Sequence, residues 1–180
     1  MANFTEKAIL QTFSRMLEEM PFDRITVSAL TRSCEISHNT FYYHYQDIYE
    51  LLDIWLEEEL GKYIVDVSPD DGQEAIRKLL SACKEQKKVV YHIFNGLSRD
   101  HLERYAFVTT DKVFFPYIQK LSEGHSIPES HLRDISSFCR YSFLGFFLEF
   151  LWNNMTDDID MLSAKLFGLL SDFVAHELMR

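Results

Sequence analysis

Apolar side chains recur at helical spacing along nearly the whole chain, and no run alternates like a half-buried strand. Phe4, Ala8, Ile9, Phe13, Met16, Leu17 and Met20 predict a first amphipathic helix that stops before Pro21. Thr26 is placed to cap a short second helix with Val27, Leu30 and Cys34 on its inner face. Ser37 is placed to cap a third, running to about Tyr45. Asp47 with Glu50 three positions on resembles a capping box opening a long helix. Its stripe is Ile48, Leu51, Leu52, Trp55, Leu56, Leu60, Tyr63, Ile64 and Val67.

Ser68-Pro69-Asp70-Asp71-Gly72 is the clearest break. Helices are expected near 73–86 and 87–97, the latter ended by Asn95-Gly96, then over 99–122 with a kink at Pro116. After a turn from Gly124 to Pro128, two strong helices are expected near 129–153 and 157–178. Thr156, followed by Asp157, Asp158 and Asp160, is the expected cap of the second. The chain therefore reads as all-α, with about nine helices.

A hydrophobic content of 47% is enough for a real interior and rules out wholesale disorder. The richest apolar run, Phe143 to Trp152, is interrupted by Glu149 and falls short of the roughly 20 residues a membrane-spanning helix needs. No basic segment leads into an apolar one at the N-terminus, so no secretory signal is expected. Cys34, Cys83 and Cys139 are widely spaced, which suits free thiols in a reducing cytoplasm. The net charge of −10 argues against diffuse coating of nucleic acid or an anionic membrane, while leaving site-specific DNA binding open.

Residues 25–45 carry the functional signal. Two short helices flank a tight turn at Cys34-Glu35-Ile36, the spacing of a helix-turn-helix, with Ile36 plugging the junction. With Phe41 and Tyr45 facing inward, rotation of about 100° per residue puts Asn39 and Tyr43 on the opposite side. His38 and Tyr42 lie on the flank. Asn can bond adenine bidentately, and Thr, Tyr and backbone N–H groups can hold phosphates.

From Phe4 to Leu52 the chain resembles the tetracycline-repressor (TetR) family of bacterial regulators. The resemblance is carried by Ile25-Thr26-Val27, Ile36-Ser37, Thr40-Phe41-Tyr42-Tyr43-His44-Tyr45 and Leu51-Leu52. It implies a homodimer with one helix-turn-helix per subunit, binding a double-stranded DNA operator, and a C-terminal body that binds a small-molecule effector. Residues 1–46 would be the DNA-binding domain, with the helix-turn-helix at about 26–45. Residues 47–180 would form the effector-binding and dimerisation domain. By the same resemblance Thr26, Ser37, Thr40, Tyr42 and His44 would chiefly touch the sugar-phosphate backbone, and His38, Asn39 and Tyr43 the base edges. Two positions depart from the pattern. Glu35 stands where the family usually has Gly, which points to a left-handed residue in the turn or a slightly different turn. Ile48 stands where a Lys often begins the fourth helix, so one phosphate contact is missing.

Residues 1–50 hold four basic side chains (Lys7, Arg15, Arg24, Arg32) against seven acidic ones, so DNA contacts would lean on hydroxyl and amide groups. Trp55, Tyr63, Tyr91, Phe94, Tyr105 and Tyr117, with His92 and Tyr105 as polar anchors, are candidates for lining an effector site of hydrophobic or aromatic character. The last two helices are apolar on more than one side, as expected of helices sandwiched or shared between subunits. Tyr141, Phe143, Phe147, Phe150, Leu151, Leu162, Leu166, Leu169 and Phe173 are the dimer-interface candidates, with Gly145 and Gly168 permitting close approach. His125 and His131, six residues apart, read as surface residues rather than metal ligands. Nothing in the sequence supports a catalytic residue, a metal or a cofactor: there is no nucleophile elbow, phosphate loop or di-iron motif. The expected function is a transcriptional regulator released from DNA by effector. The alternatives are an activator of the same fold and an all-α dimeric docking module that does not bind DNA.

Overall fold

Nine α-helices and no strand occur among the described residues, 2–64 and 67–179, of a computed structural model. They are α1 (Ala2–Glu19), α2 (Val27–Ser33), α3 (His38–His44), α4 (Ile48–Ile64), α5 (Gly72–Glu85), α6 (Lys87–Gly96), α7 (Arg99–Leu121), α8 (Glu129–Trp152) and α9 (Ile159–Leu178). Short 3-10 turns cover Phe22–Arg24 and Pro69–Asp71. No helix is long and apolar enough to cross a membrane among the described residues.

The chain forms two compact units, each assembled from separate stretches. The first contains residues 1–60 and 86–102, and the second residues 61–85 and 103–180. The boundary suggested by the sequence, after residue 46, marks the end of the helix-turn-helix. Compactness groups most of α4 and all of α6 with that motif.

In the first unit, Ile9, Phe13 and Leu17 of α1, Leu30 of α2, Phe41 of α3 and Leu51 of α4 are fully buried, and Val89 and Ile93 of α6 join them. Phe13 is the hub, edge-on to both Phe22 and Trp55 at 6.3 Å. Each such burial contributes roughly 1.5–3 kcal/mol. Phe4, expected on the inner stripe of α1, is 81% exposed: it lies in the first turn, ahead of the segment that meets the core.

The second unit packs α5 and α8 against α9. Leu132, Ile135, Cys139, Phe143, Phe150 and Leu151 are buried along α8, and Leu166, Leu170 and Val174 along α9; the Phe143 ring lies 5.6 Å from Phe114 of α7, and Phe138 of α8 lies 4.2 Å from Phe173 of α9. At the start of α5, a Cβ on Gly72 would stand 2.5 Å from the Phe167 ring and 2.7 Å from the Tyr117 hydroxyl, so only glycine fits that approach.

Local chemistry sets most boundaries. Asp47 Oδ1 accepts from the backbone N–H of Tyr49 (2.8 Å) and Glu50 (2.9 Å), while Glu50 reaches back to the N–H of Gln46. Asp158, not Thr156, caps α9 by accepting from Met161 N at 2.9 Å, so the helix begins at Ile159 rather than 157. Thr156 instead donates to Asn153 O at 2.8 Å, its hydroxyl committed to the preceding turn. Helix α7 runs unbroken through Pro116. Helix α4 ends at Ile64, so Val67 of the expected stripe lies past it; residues 65 and 66 lie outside the described residues.

Candidate nucleic-acid interface

Helix α3 has only seven residues, far too few to persist alone in water, so packing must hold it. Phe41 is fully buried and Tyr45 is 1% exposed, their rings 5.5 Å apart, and together they pin α3 to the core. The outer face carries Asn39, Tyr42 and Tyr43, with Tyr42 56% and Tyr43 81% exposed. Large aromatic rings left in water on a pinned helix are what a base-reading or phosphate-reading surface requires. Tyr42 leans edge-on against Phe41 at 5.4 Å, and Tyr43 against His44 at 5.1 Å, which limits how far either ring swings.

The turn preceding α3 is a Schellman closure. Ile36 N–H bonds Thr31 O at 3.0 Å and Glu35 N–H bonds Arg32 O at 3.3 Å, satisfying carbonyls at the end of α2. Glu35 takes φ 55°, the left-handed conformation anticipated where glycine is customary. Ile36 packs against the core, as the plugging role requires.

Both helices of the motif are capped by the hydroxyls expected. Thr26 Oγ1 accepts from Ala29 N at 3.1 Å, and Ser37 Oγ accepts from Thr40 N at 3.1 Å. Ser37 and Thr40 hydroxyls also lie 2.9 Å apart. A hydroxyl that accepts from the backbone keeps its own proton, so Thr26 can still donate to a phosphate oxygen. The hydroxyls of Ser37 and Thr40 have one proton to spare between them. His38, the first residue of α3, lies 3.1 Å through Nε2 from Ser28 Oγ on α2. Ser28 was not among the residues singled out from sequence, because a cross-helix bond between residues ten apart leaves no local pattern.

Buried beneath this surface, the Tyr45 phenol is pushed up to about 12, first by burial and then by the carboxylates of Glu6, Glu58 and Glu50. Its hydroxyl has no hydrogen-bond partner among the described residues.

The effector candidates divide between the units. Trp55, Tyr91, His92 and Phe94 belong to the first, and Tyr63, Tyr105 and Tyr117 to the second. Trp55 is buried in the core of the first unit. His92 is engaged internally, its Nδ1 2.7 Å from Leu17 O. Tyr91 has the Lys87 ammonium 6.0 Å from its ring. Burial raises the Tyr117 phenol above its usual range, helped by Asp70 and Cys139. Tyr63, Phe94 and Tyr105 are half-buried.

The dimer candidates also separate. Phe143, Phe150, Leu151 and Leu166 are buried inside the second unit. Phe147, Leu162 and Phe173 are half-buried, and Tyr141 and Leu169 are exposed. The large apolar side chains left exposed on these helices are Phe138, Tyr141 and Trp152 of α8 and Met161 and Leu169 of α9, with Phe138 also 4.2 Å from the Phe173 ring and Tyr141 5.7 Å from Phe107. A Cβ added at Gly145 or Gly168 would meet open space.

A family profile described as "Transcriptional regulator C-terminal region", of the TetR type, matches residues 70–172. Three solved structures share the fold. One is described as dihydroxyacetone kinase operon activator DhaS, 19% identical, with a TM-score of 0.68 over 95% of this chain and 96% of that one. A transcriptional regulator of the TerR/AcrR family from Aquifex aeolicus is 20% identical, with a TM-score of 0.55 over 93% and 98%. NalD, the secondary repressor of the MexAB-OprM multidrug efflux pump in Pseudomonas aeruginosa, is 16% identical, with a TM-score of 0.57 over 96% and 97%. No curated protein sequence matches the chain.

Proposed function

The chain belongs to the TetR family of transcriptional regulators, and from that premise we propose that it acts in the cytoplasm as a homodimer that binds a palindromic duplex operator. A small hydrophobic effector would release it. The observation that carries the DNA-reading role is α3 itself: Phe41 and Tyr45 anchor it while Asn39, Tyr42 and Tyr43 stand in solvent. Asn39, Tyr43 and His38 meet base edges in this reading. Thr26, Ser37, Thr40, Tyr42 and His44 hold the sugar-phosphate backbone.

Self-association is assigned to the outward faces of α8 and α9, where Phe138, Tyr141, Trp152, Met161 and Leu169 leave apolar surface in water. The effector body is residues 47–180, with Tyr63, Tyr105 and Tyr117 as its aromatic candidates. Helix α4 begins directly after the reading helix and ends in the second unit. An effector that favours the wrong spacing of the two reading helices by ~3 kcal/mol weakens binding by about two orders of magnitude.

The test starts by selecting a binding sequence from randomised duplex DNA with the full chain. Asn39→Ala combined with Tyr43→Ala is expected to abolish the gel shift while helical content is unchanged. Undiminished binding by that variant overturns the reading and supports a docking module. Sedimentation at micromolar concentration checks the dimer, and a strictly monomeric species counts against it.

A second reading, activation, is favoured by the likeness to an operon activator at a TM-score of 0.68. Deleting the gene and measuring transcription beside its operator separates the two. A rise supports repression and a fall supports activation.

A further inference from the structure

The Ser28–His38 bond joins the outer surfaces of both helices in the helix-turn-helix. Both side chains are exposed, so the bond does little for the core. It does fix the ring of a residue at the very start of α3, where base edges come closest. With Nε2 engaged by Ser28, Nδ1 is the ring nitrogen left for another partner, and it has no bond among the described residues.

Two neutral arrangements follow from imidazole chemistry. Where the Ser28 hydroxyl donates to Nε2, the ring proton sits on Nδ1, which then offers a donor. Where Nε2–H donates to Ser28 Oγ, Nδ1 offers an acceptor. Protonation removes the second choice: Nε2 then donates to Ser28 and Nδ1 donates outward. A polyanionic duplex favours the donor form of any imidazole lying against it.

We propose that Ser28 is a positioning residue that holds His38 with Nδ1 as a hydrogen-bond donor to a purine N7 or guanine O6. This rests on the DNA-reading role proposed above. Specificity at one base pair of each half-site then depends on a side chain that itself need not touch DNA.

The experiment uses the full chain and the duplex selected by the wild type. Affinity and base preference are measured for the wild type, Ser28→Ala, Ser28→Thr, His38→Gln and the double variant Ser28→Ala/His38→Gln. Ser28→Ala is expected to bind about fivefold more weakly, the scale of one hydrogen bond. It should relax preference at one base pair per half-site. Ser28→Thr keeps both, and the double variant binds no worse than His38→Gln. Wild-type preference in Ser28→Ala, or additive losses in the double variant, overturn the inference while leaving DNA reading intact. A wild type that selects no duplex brings down the DNA-reading role and this inference with it.

Discussion

His92 Nδ1 lies 2.7 Å from the carbonyl oxygen of Leu17 and donates to it across the α1–α6 contact. That carbonyl would ordinarily accept from the N–H four residues on, but position 21 is proline and has none. The imidazole supplies the donor that Pro21 removes, and so ties α6 to the helix bracing the DNA-reading motif. His92→Leu is expected to lower stability by about 1–3 kcal/mol, the penalty for a carbonyl stripped of its partner. Denaturant unfolding checks it, and recovery in His92→Asn would show that the hydrogen bond, rather than the ring's bulk, is what counts.

Gly96 closes α6 against the backbone at Phe22. A Cβ there would stand 2.8 Å from Phe22 N and 2.9 Å from Asp23 N, backbone atoms that cannot turn aside. Gly96→Ala should therefore destabilise by about 1–3 kcal/mol, as overpacking does. Gly145→Ala, where the added atom meets nothing within 4 Å, leaves monomer stability close to or above that of the wild type. Thermal melts of the pair test the contrast.

Two substitutions are expected to stabilise. Tyr45→Phe removes a buried hydroxyl that has no partner and keeps the ring that anchors α3, a gain of about 1 kcal/mol. Glu35→Gly relieves a left-handed L-residue at φ 55° against a larger entropy in the unfolded chain, for a net gain of up to ~1 kcal/mol. Chemical denaturation midpoints should rise for both; a fall in either contradicts its account.

Burial pushes the Cys83 and Cys139 thiols up to about 12 from an ordinary value of 9.0. The folded chain keeps protons that the unfolded chain releases above pH 9, so stability falls as pH rises from 9 toward 12. Tyr45 acts in the same direction from 10.0 upward. With thiolate scarce, both cysteines should react slowly with a disulfide reagent at pH 8 until denaturant is added. Fast labelling of either in the native protein contradicts this.

The reading surface is poor in cations, so the salt dependence of operator affinity should be shallow. Each neutralised phosphate contributes a slope of about −0.9 in log K against log salt, and a dimer leaning on hydroxyls and amides should fall well short of −10. A slope near −10 would reveal a basic surface that residues 1–50 do not explain.

The orientation of α3 was legible from sequence because a short helix anchored by Phe41 and Tyr45 leaves one rotation that keeps both inside. The left-handed Glu35 was legible for a related reason: the tight turn needs such a residue there, whatever side chain it carries. The interior of α8 was not. Apolar residues circle that helix, and spacing alone does not say which of them turn inward: Phe143 and Phe150 share the apolar pattern with Tyr141, yet of the three only Tyr141 is exposed. The cap of α9 lies two residues beyond the position the sequence suggests, because Thr156 and Asp158 are both cap-forming residues in isolation. Which one caps depends on the turn before it, where Asn154 and Met155 both take positive φ. The tie between His92 and Leu17 did leave a trace, since a proline four residues after Leu17 announces an orphaned carbonyl. Nothing local named the residue that would answer it.

Because α6 belongs to the same compact unit as α1–α3, no single cut in the gene releases an intact DNA-reading module. A truncation after residue 46 or 60 would discard Val89, Ile93 and the His92 clasp, and expose Phe22 to water. Hybrid regulators made by splicing a foreign N-terminal segment onto this chain would inherit an α6 cut for someone else's α1. Grafts that carry residues 86–102 along with the front segment should be the ones that fold.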